Sequence, residues 1–275
     1  LFIVSEWYSA WVKSEDVALG NQAEVLAYAE SKPRVIITDA DARTAFTPER
    51  PEISSLSLDM GISLPYLKQW PITEVVNGQG SLGSYVISLP IRNAHGSLEV
   101  IPALLPNKYN FQEQYLAISD MDLLLQSFKF LGERYGWGHD YGTRDCSGFV
   151  SEVYRSMGLL LPRNTSDQER SLAYDREPFA ATLSRDQRIE KIKRARIGDL
   201  IYIPGHVMMV IGHDNYGPWV IHDSHATGFI QYGHYYSVPT NGVAITPILS
   251  MAFSAEKTYI EAVTSIQHII PRQNQ

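Results

Sequence analysis

The sequence predicts a mixed α+β chain in two parts, a β-rich N-terminal part and a C-terminal part that combines helices with strands. Up to about residue 115, short apolar runs are broken by Gly or Pro about every 8–12 residues, as in small antiparallel folds. From residue 119 the apolar residues follow the helical period, and three later runs are almost continuously apolar, as in buried strands. The 275 residues suffice for about two or three modest cores.

The N-terminal part is predicted to contain short strands and one helix. Residues 1–20 alternate loosely and predict the closing strands of a small β unit. The chain begins at Leu1 without an initiator methionine or a basic leader, so we expect a processed or truncated form. A helix is predicted over 23–29. Further strands are predicted at 33–38, 54–58, 74–76, 83–89 and 98–105. This spacing of short strands is typical of a small barrel or sandwich.

Composition argues against several classes of partner. The 30 acidic and 23 basic residues give a formal charge of −7 without a long basic stripe, so nucleic acid is not expected to bind. No apolar run approaches the roughly 18 residues of a membrane span. One cysteine excludes an intramolecular disulfide and leaves a thiol that is either buried or catalytic.

That cysteine, Cys146, is predicted to begin an amphipathic helix. A preceding helix, capped at Ser119 or Asp120, leads into a glycine-rich loop. Beyond this loop, the inward positions of the cysteine helix are Phe149, Val150, Val153, Tyr154 and Met157. A helix N-terminus favours a thiolate through its unpaired N–H groups and partial positive charge, and Asp145 is suited to cap it. The alternative is that Cys146 is a small buried hydrophobic residue.

Two histidines flank a predicted hairpin in the C-terminal part. A helix is predicted over about 184–194, followed by strands at 199–203, 206–212 and 219–223. If the hairpin is centred on residue 214, His206 and His222 are directly opposite; if it is centred on 215, His206 faces Ser224 and His222 is its diagonal neighbour on the same face. If the hairpin is instead centred between two residues, His206 and His222 lie on opposite faces of the sheet. Taken singly, each histidine is more often a core residue.

Together, these side chains fit cysteine catalysis. That chemistry needs a nucleophile, a base that takes the thiol proton, and a third group that holds the base in place. Cys146, His206 and His222 supply the three roles. The same side chains can ligate zinc, but a thiol at a helix N-terminus favours covalent catalysis, so we predict no metal and no cofactor.

Several motifs resemble those of the NlpC/P60 cysteine peptidases, in order and at compatible spacing, over roughly residues 119–248. They are Tyr135-Gly-Trp-Gly138, Asp145-Cys-Ser-Gly148, Leu161-Pro-Arg-Asn-Thr-Ser-Asp-Gln168, Gly198-Asp-Leu200, Gly205-His-Val207 and Val220-Ile-His222. The resemblance implies a papain-like α+β domain. The N-terminal part resembles the bacterial SH3-type (SH3b) domains that accompany many such enzymes. The resemblance rests on the regular spacing of its short predicted strands and on the stretch Trp11-Val-Lys-Ser-Glu-Asp-Val17.

The resemblance also implies a domain organisation and a location. The expected segments are the end of an SH3-like β unit at 1–22, an SH3-like barrel at 23–118, the catalytic domain at 119–248, and a C-terminal helical tail packed on that domain at 249–275. Accessory SH3-like segments favour the cell envelope, in the periplasm or after secretion. We expect a monomer.

The resemblance implies a peptidoglycan hydrolase that cleaves stem peptides, commonly between γ-D-glutamate and a diamino acid such as meso-diaminopimelate. By motif position Cys146 is the nucleophile, His206 the base and His222 the residue that orients the base. The residues implied for the oxyanion side and the substrate cleft are Tyr135, Trp137, Asp145, Ser147, Arg163 and Ser166. In members that cleave free stem peptides, the aspartate matching Asp145 faces the L-alanine amine.

Two positions depart from the family pattern. His139 stands where many members have a second glycine after Trp-Gly, and Asn164 stands where many have aspartate. Asn164 lacks the carboxylate that many members have at this position, so the resemblance does not imply a requirement for a free N-terminal L-alanine. The substrate is therefore either intact wall or recycled muropeptide. Two alternative functions stay open: a peptidoglycan-binding SH3b protein with an inactive peptidase fold, and a thiol amidase or acyltransferase that uses the same residues.

Overall fold

The computed structural model describes residues 1–5 and 7–270. Its internal contacts divide the chain into two compact units. Unit 1 comprises Leu1–Leu116 and Arg155–Leu159, and unit 2 comprises Ala117–Tyr154 and Leu160–Gln275. In the part of the chain that is described, no helix is both long and apolar enough to cross a bilayer.

Unit 1 consists mainly of short antiparallel strands. Its elements are β1 (Phe2–Val4), β2 (Ser9–Trp11), α1 (Gln22–Glu30), β3 (Arg34–Ile37), β4 (Ala42–Arg43), β5 (Ser57–Leu58), β6 (Ser63–Pro65), β7 (Val75–Val76), β8 (Gln79–Gly80), β9 (Ser84–Arg92), β10 (Leu98–Pro106) and β11 (Phe111–Gln112). Strand β3 pairs with both β11 and β6, while β9 and β10 form a long hairpin. Val35, Ile37, Ile87 and Leu105 contribute to a common core, because their strands place every second side chain on the inner face.

Helix α1 begins where the sequence predicts a helix. Asn21 and Glu24 form a capping box, in which the Glu24 N–H donates to Asn21 Oδ1 at 2.9 Å and the Asn21 N–H donates to Glu24 Oε2 at 3.3 Å. The preceding residues join the same unit, since Leu19 forms a parallel bridge with Ser97, the residue before β10. By their internal contacts, residues 1–22 therefore belong to unit 1.

Unit 2 is a mixed α+β domain. Its elements are α2 (Asp120–Phe128), α3 (Cys146–Arg155), α4 (Thr165–Arg170), β12 (Asp175–Pro178), α5 (Arg185–Lys193), β13 (Leu200–Ile203), β14 (His206–His213), β15 (Pro218–Ser224), β16 (Thr227–Gln231), β17 (His234–Val238), β18 (Gly242–Pro247), α6 (Tyr259–Ala262) and β19 (Ser265–His268). The central antiparallel sheet has the order β12, β19, β13, β14, β15, β18, and β16 pairs with β17 alone. Ile201, Met208, Val220 and Ile266 form part of the core of the sheet.

Helix α3 is anchored through its apolar stripe. Phe149, Val150, Val153 and Tyr154 are fully buried, as the helical period predicts. The Tyr154 hydroxyl donates to the carbonyl oxygen of Gly198, two residues before β13. Gly198 has φ of +86°, and a Cβ atom there would lie 2.7 Å from the Leu123 side chain of α2 and 3.1 Å from the Tyr154 hydroxyl of α3. The glycine therefore permits the close approach that positions α3 beside the sheet.

The C-terminal segment departs from the predicted helical tail at 249–275. Its helix α6 has only four residues, and Ser265–His268 forms strand β19 between β12 and β13. All four residues of β19 are buried, because the strand lies inside the central sheet and pairs on both edges. The segment is thus part of the sheet, while the portion of the prediction at 271–275 lies outside the described residues.

Candidate active site

Cys146 is the first residue of α3 and is 5% exposed. Asp145 caps the helix by accepting the Gly148 N–H at 2.9 Å. The Thr165 hydroxyl lies 3.7 Å from the sulfur. Burial raises the pKa of the Cys146 thiol, and this outweighs the opposing hydrogen bonds from Thr165 and the backbone of Val207. The resting cysteine is therefore a neutral thiol that needs a base.

The two histidines are brought together by a β-bulge. Met209 pairs with Ile221, which is the register of a hairpin centred on 215, but Gly212 pairs with Trp219, one residue out of that register. The shift between Val210 and Gly212 absorbs the difference. As a result His206, at the start of β14, and His222, on β15, share a face. His206 Nε2 lies 2.8 Å from His222 Nδ1.

We assign the tautomers of both rings from a chain of hydrogen bonds. The Thr246 hydroxyl lies 3.1 Å from Met251 Sδ and 3.0 Å from His222 Nε2, and we assign its proton to Met251, so that its oxygen accepts from His222 Nε2. Nδ1 of His222 then accepts the proton of His206 Nε2, which leaves Nδ1 of His206 with its lone pair. A histidine in this form is ready to accept a proton at Nδ1.

Both rings are neutral near pH 7. Burial lowers the pKa of His206 to about 4, and burial together with the neighbouring His206 holds the pKa of His222 well below its usual value. The backbone N–H of Val207, the residue after His206, hydrogen-bonds to the Cys146 sulfur. This contact places the start of β14 at the thiol.

Aromatic residues form one side of the site. The rings of Tyr135 and Trp137 meet edge to face with centroids 5.0 Å apart, and Trp137 lies 5.1 Å from the ring of His225. Trp137 is 61% exposed. Burial raises the pKa of Tyr135, and negative charge on Cys146 and Asp145 raises it further, so the phenol remains a hydrogen-bond donor.

The remaining predicted cleft residues are divided between two environments. Arg163 makes a bidentate ion pair with Asp145, at 3.1 and 2.8 Å, and also donates to the Ser147 hydroxyl at 3.0 Å. Burial raises the pKa of Asp145, but hydrogen bonds from Arg163 and Gly148 lower it more. Ser166 is separate from this group, exposed in the first turn of α4 with its carbonyl accepting from Arg170.

Sequence reasoning missed several residues at the site. Thr165 lies within the quoted motif, and its hydroxyl position at the sulfur depends on how the loop before α4 folds. Thr246 lies 24 residues after His222, and only the pairing of β15 with β18 brings them together. Over residues 1–5 and 7–270, no cluster of three or more His, Cys, Asp or Glu side chains is arranged to hold a metal ion.

Asp223, which follows His222, is a buried carboxyl. Its side chain is fully buried, and neither oxygen has a hydrogen-bond partner among the described residues. Burial raises the pKa of Asp223 to about 8, and the charges of Glu133 and Asp145 act in the same direction against that of Arg144. Asp223 therefore holds its proton at neutral pH.

Asp223→Asn is expected to remove a loss of stability that develops as the pH rises from about 4 to about 8. The folded wild type keeps the Asp223 proton up to pH about 8, whereas the unfolded chain releases it near pH 3.8. Between these values the folded state binds more protons, so its free energy of unfolding falls by about 1.4 kcal/mol per pH unit as pH rises. The asparagine variant lacks this decline. Urea titrations at pH 6 and pH 8 measure the difference, expected to be about 2 kcal/mol.

The exposed Asp175→Asn variant is the matched control, because its carboxylate lies at the surface in β12. It should follow the wild-type pH dependence. Parallel curves for wild type and Asp223→Asn would contradict the assignment of a protonated Asp223.

Comparison with known proteins shows a similarity between part of unit 2 and one protein family. Residues 132–243 match the model of the NlpC/P60 family. A curated relative, the γ-D-glutamyl-L-lysine dipeptidyl-peptidase of Bacillus cereus (strain ATCC 10987 / NRS 248), is 26% identical over 177 residues, which cover 62% of this chain and 46% of the relative. The chain thus spans about half the length of that protein. Residues 132–243, within unit 2, are therefore similar to an NlpC/P60 domain.

Solved structures share the fold. An NlpC/P60 endopeptidase from Photobacterium damselae subsp. piscicida superposes with a TM-score of 0.74 at 16% identity, covering 98% of this chain and 60% of that one. An NlpC/P60 family protein from Bacillus cereus ATCC 10987 gives a TM-score of 0.56 at 22% identity, covering 91% and 67%. At these identities the likeness establishes the fold alone. It confirms the predicted combination of a β-rich N-terminal region with a papain-like α+β domain.

Proposed function

We propose that this chain is a cysteine endopeptidase that cleaves peptidoglycan stem peptides between γ-D-glutamate and the following diamino acid. The observation that carries the proposal is the thiol of Cys146 at the start of α3, combined with a His206–His222 pair whose hydrogen bonds leave Nδ1 of His206 unprotonated. The name of the Bacillus cereus relative supports the γ-D-glutamyl bond. Both meso-diaminopimelate and L-lysine are candidates for the diamino acid.

In this mechanism His206 Nδ1 takes the proton of the Cys146 thiol, and the thiolate attacks the carbonyl carbon of the γ-glutamyl amide. The Tyr135 hydroxyl and the N–H groups at the start of α3 stabilise the oxyanion. The protonated His206 then gives its proton to the leaving amine, and the C–N bond breaks. Water, activated by His206, hydrolyses the thioester, which releases the γ-carboxylate and restores the thiol.

The β-rich unit 1 is proposed to be an SH3-type accessory domain that binds the cell wall, and the whole protein is proposed to act in the cell envelope as a monomer. The short antiparallel strands and the shared core of unit 1 support this role. Peptidoglycan lies outside the cytoplasmic membrane, so a wall-binding unit joined to an NlpC/P60 domain fits an extracytoplasmic enzyme.

Digestion of purified sacculi and of stem peptides tests the proposal. Wild type and Cys146→Ala are each incubated with sacculi, with L-Ala-γ-D-Glu-meso-diaminopimelate and with its L-lysine counterpart, and the products are read by mass spectrometry. We expect fragments ending in γ-D-glutamate with wild type and none with the variant, because alanine cannot form the thioester. Equal product formation by both proteins would refute the proposed nucleophile. Binding without cleavage would favour a wall-binding protein, and an altered acceptor would favour acyl transfer.

A further inference from the structure

A cavity of about 470 Å³ lies at the edge of the central sheet where β13 ends and β14 begins. Its lining includes Pro204, from the turn between these strands, Phe179, directly after β12, and Val263, shortly before β19. Small-molecule sites usually measure about 300–1,000 Å³. The cavity is therefore large enough to hold one residue of a peptide substrate.

This cavity lies on the same face of the sheet as the side chain of His206. Successive side chains of a strand alternate between the two faces, so His206 and Met208 share one face of β14. Met208 belongs to the same buried core as Phe179 and Val263. Pro204 precedes His206 by two residues, which limits the distance between their Cα atoms to about 7 Å. The cavity is thus adjacent to the proposed base.

Two cations line the cavity without a carboxylate partner. Arg188 is only 9% exposed. Its Nη atoms donate to three backbone carbonyl oxygens, those of Ala180, Ile260 and Val263, at 3.2, 3.4 and 3.0 Å. Lys257 is exposed, and its Nζ lies 5.6 Å from the centroid of the Phe253 ring. Within the part of the chain that the structure describes, neither cation forms an ion pair, so both charges are available to a ligand.

Glu261 also lines the cavity, but another cation compensates its charge. Its carboxylate accepts from the Thr258 N–H at 3.1 Å and forms an ion pair with Arg185. Arg188 and Lys257 therefore give the cavity a positive charge, although the whole chain has a formal charge of −7. An anionic group would gain charge-assisted hydrogen bonds here.

The leaving side of the scissile bond supplies such a group. In the proposed mechanism His206 gives its proton to the leaving amine, so the diamino acid begins beside His206. The side chain of meso-diaminopimelate ends in a carboxylate and an ammonium group, whereas that of L-lysine ends in an ammonium group alone. The carboxylate would be attracted by Arg188 and Lys257, while a lone ammonium would be repelled by both.

We propose that this cavity is a subsite for the carboxylate at the far end of diaminopimelate, bound by Lys257 and Arg188, and that it makes the enzyme prefer this diamino acid to L-lysine. The inference rests on the proposed function and names the substrate class on the leaving side of the bond. It assigns a role in specificity to two residues that lie far from Cys146 in the sequence.

Two peptides that differ by one charge test the inference. They are L-Ala-γ-D-Glu-meso-diaminopimelate and the same peptide amidated at the far carboxyl group of diaminopimelate, and kcat/KM for release of L-Ala-γ-D-Glu is measured by mass spectrometry. We expect wild type to favour the carboxylate form about tenfold. In Lys257→Gln this preference should fall several-fold, because one of the two cations is lost. Lys257→Arg should keep it, since arginine retains the charge.

The control variant is Lys193→Gln, which removes an exposed lysine from α5, the helix that also carries Arg188, and should keep the wild-type preference. A wild-type ratio of one or less, with cleavage of either peptide, would overturn the inference and leave the proposed function intact. An unchanged ratio in Lys257→Gln would overturn the assignment of the cavity. No cleavage of either peptide or of sacculi by wild type would overturn the proposed function and the inference with it. The wild-type comparison does not depend on the folding of any variant.

Discussion

His206→Ala is expected to lower kcat/KM on stem peptides by about 10³-fold. The resting thiol has a raised pKa and needs a base, and His206 offers its unprotonated Nδ1 because its Nε2 is bonded to His222. Without this base the thiolate fraction at neutral pH is small, and the leaving amine receives no proton. Initial rates on L-Ala-γ-D-Glu-meso-diaminopimelate and on its L-lysine counterpart, compared with wild type, measure the effect.

His213→Ala is the matched control. His213 lies at the other end of the same strand, β14, and its Nε2 contacts the Ala195 carbonyl oxygen at 2.6 Å, away from the thiol. Its replacement should change kcat/KM by less than about threefold, as expected for a residue outside the reacting groups. If His206→Ala retained more than about a tenth of wild-type activity, His206 would not be the base.

Arg144→Met is expected to destabilise unit 2 by about 3–5 kcal/mol at pH 7. Arg144 is 2% exposed and lies between two carboxylates, with hydrogen bonds to Glu152 at 3.0 and 2.9 Å and an ion pair with Glu133 at 3.3 Å. Methionine fills a similar volume but leaves the buried Glu152 without its compensating charge. The free energy of unfolding from urea titration measures the loss.

The control for Arg144 is Arg176→Met. Arg176 pairs with Glu169 at 3.0 Å but is 37% exposed, so its removal should cost less than about 1 kcal/mol. If both variants lost the same stability, the buried network around Glu152 would contribute no more than a surface ion pair.

Much of the local structure of the site follows from short sequence patterns. The helical period after Cys146 predicts α3 and its buried face, and Asp145 caps that helix as expected. The apolar runs predict β13, β14 and β15 within one or two residues of their observed ends. Such patterns succeed because helix periodicity, capping and strand burial depend on residues close together in sequence.

Contacts between distant segments could not be predicted in the same way. The common face of His206 and His222 depends on a bulge between Val210 and Gly212, whose position has no distinct sequence signal. The C-terminal residues 265–268 form an internal strand because an edge of β13 is available to pair with them. A four-residue segment of this kind carries too little periodicity to be distinguished from a helix end.

The sequence by itself determined that a thiol begins an amphipathic helix and that two histidines lie on adjacent strands, because these features are local. The tertiary structure alone decided which nitrogen of His206 is free, since Thr246 and Met251 reach His222 only when β18 pairs with β15. The tertiary structure also decided that Arg163 forms an ion pair with Asp145. That contact requires the loops carrying His139 and Arg163 to meet over α3, and no pattern of neighbouring residues encodes such a meeting.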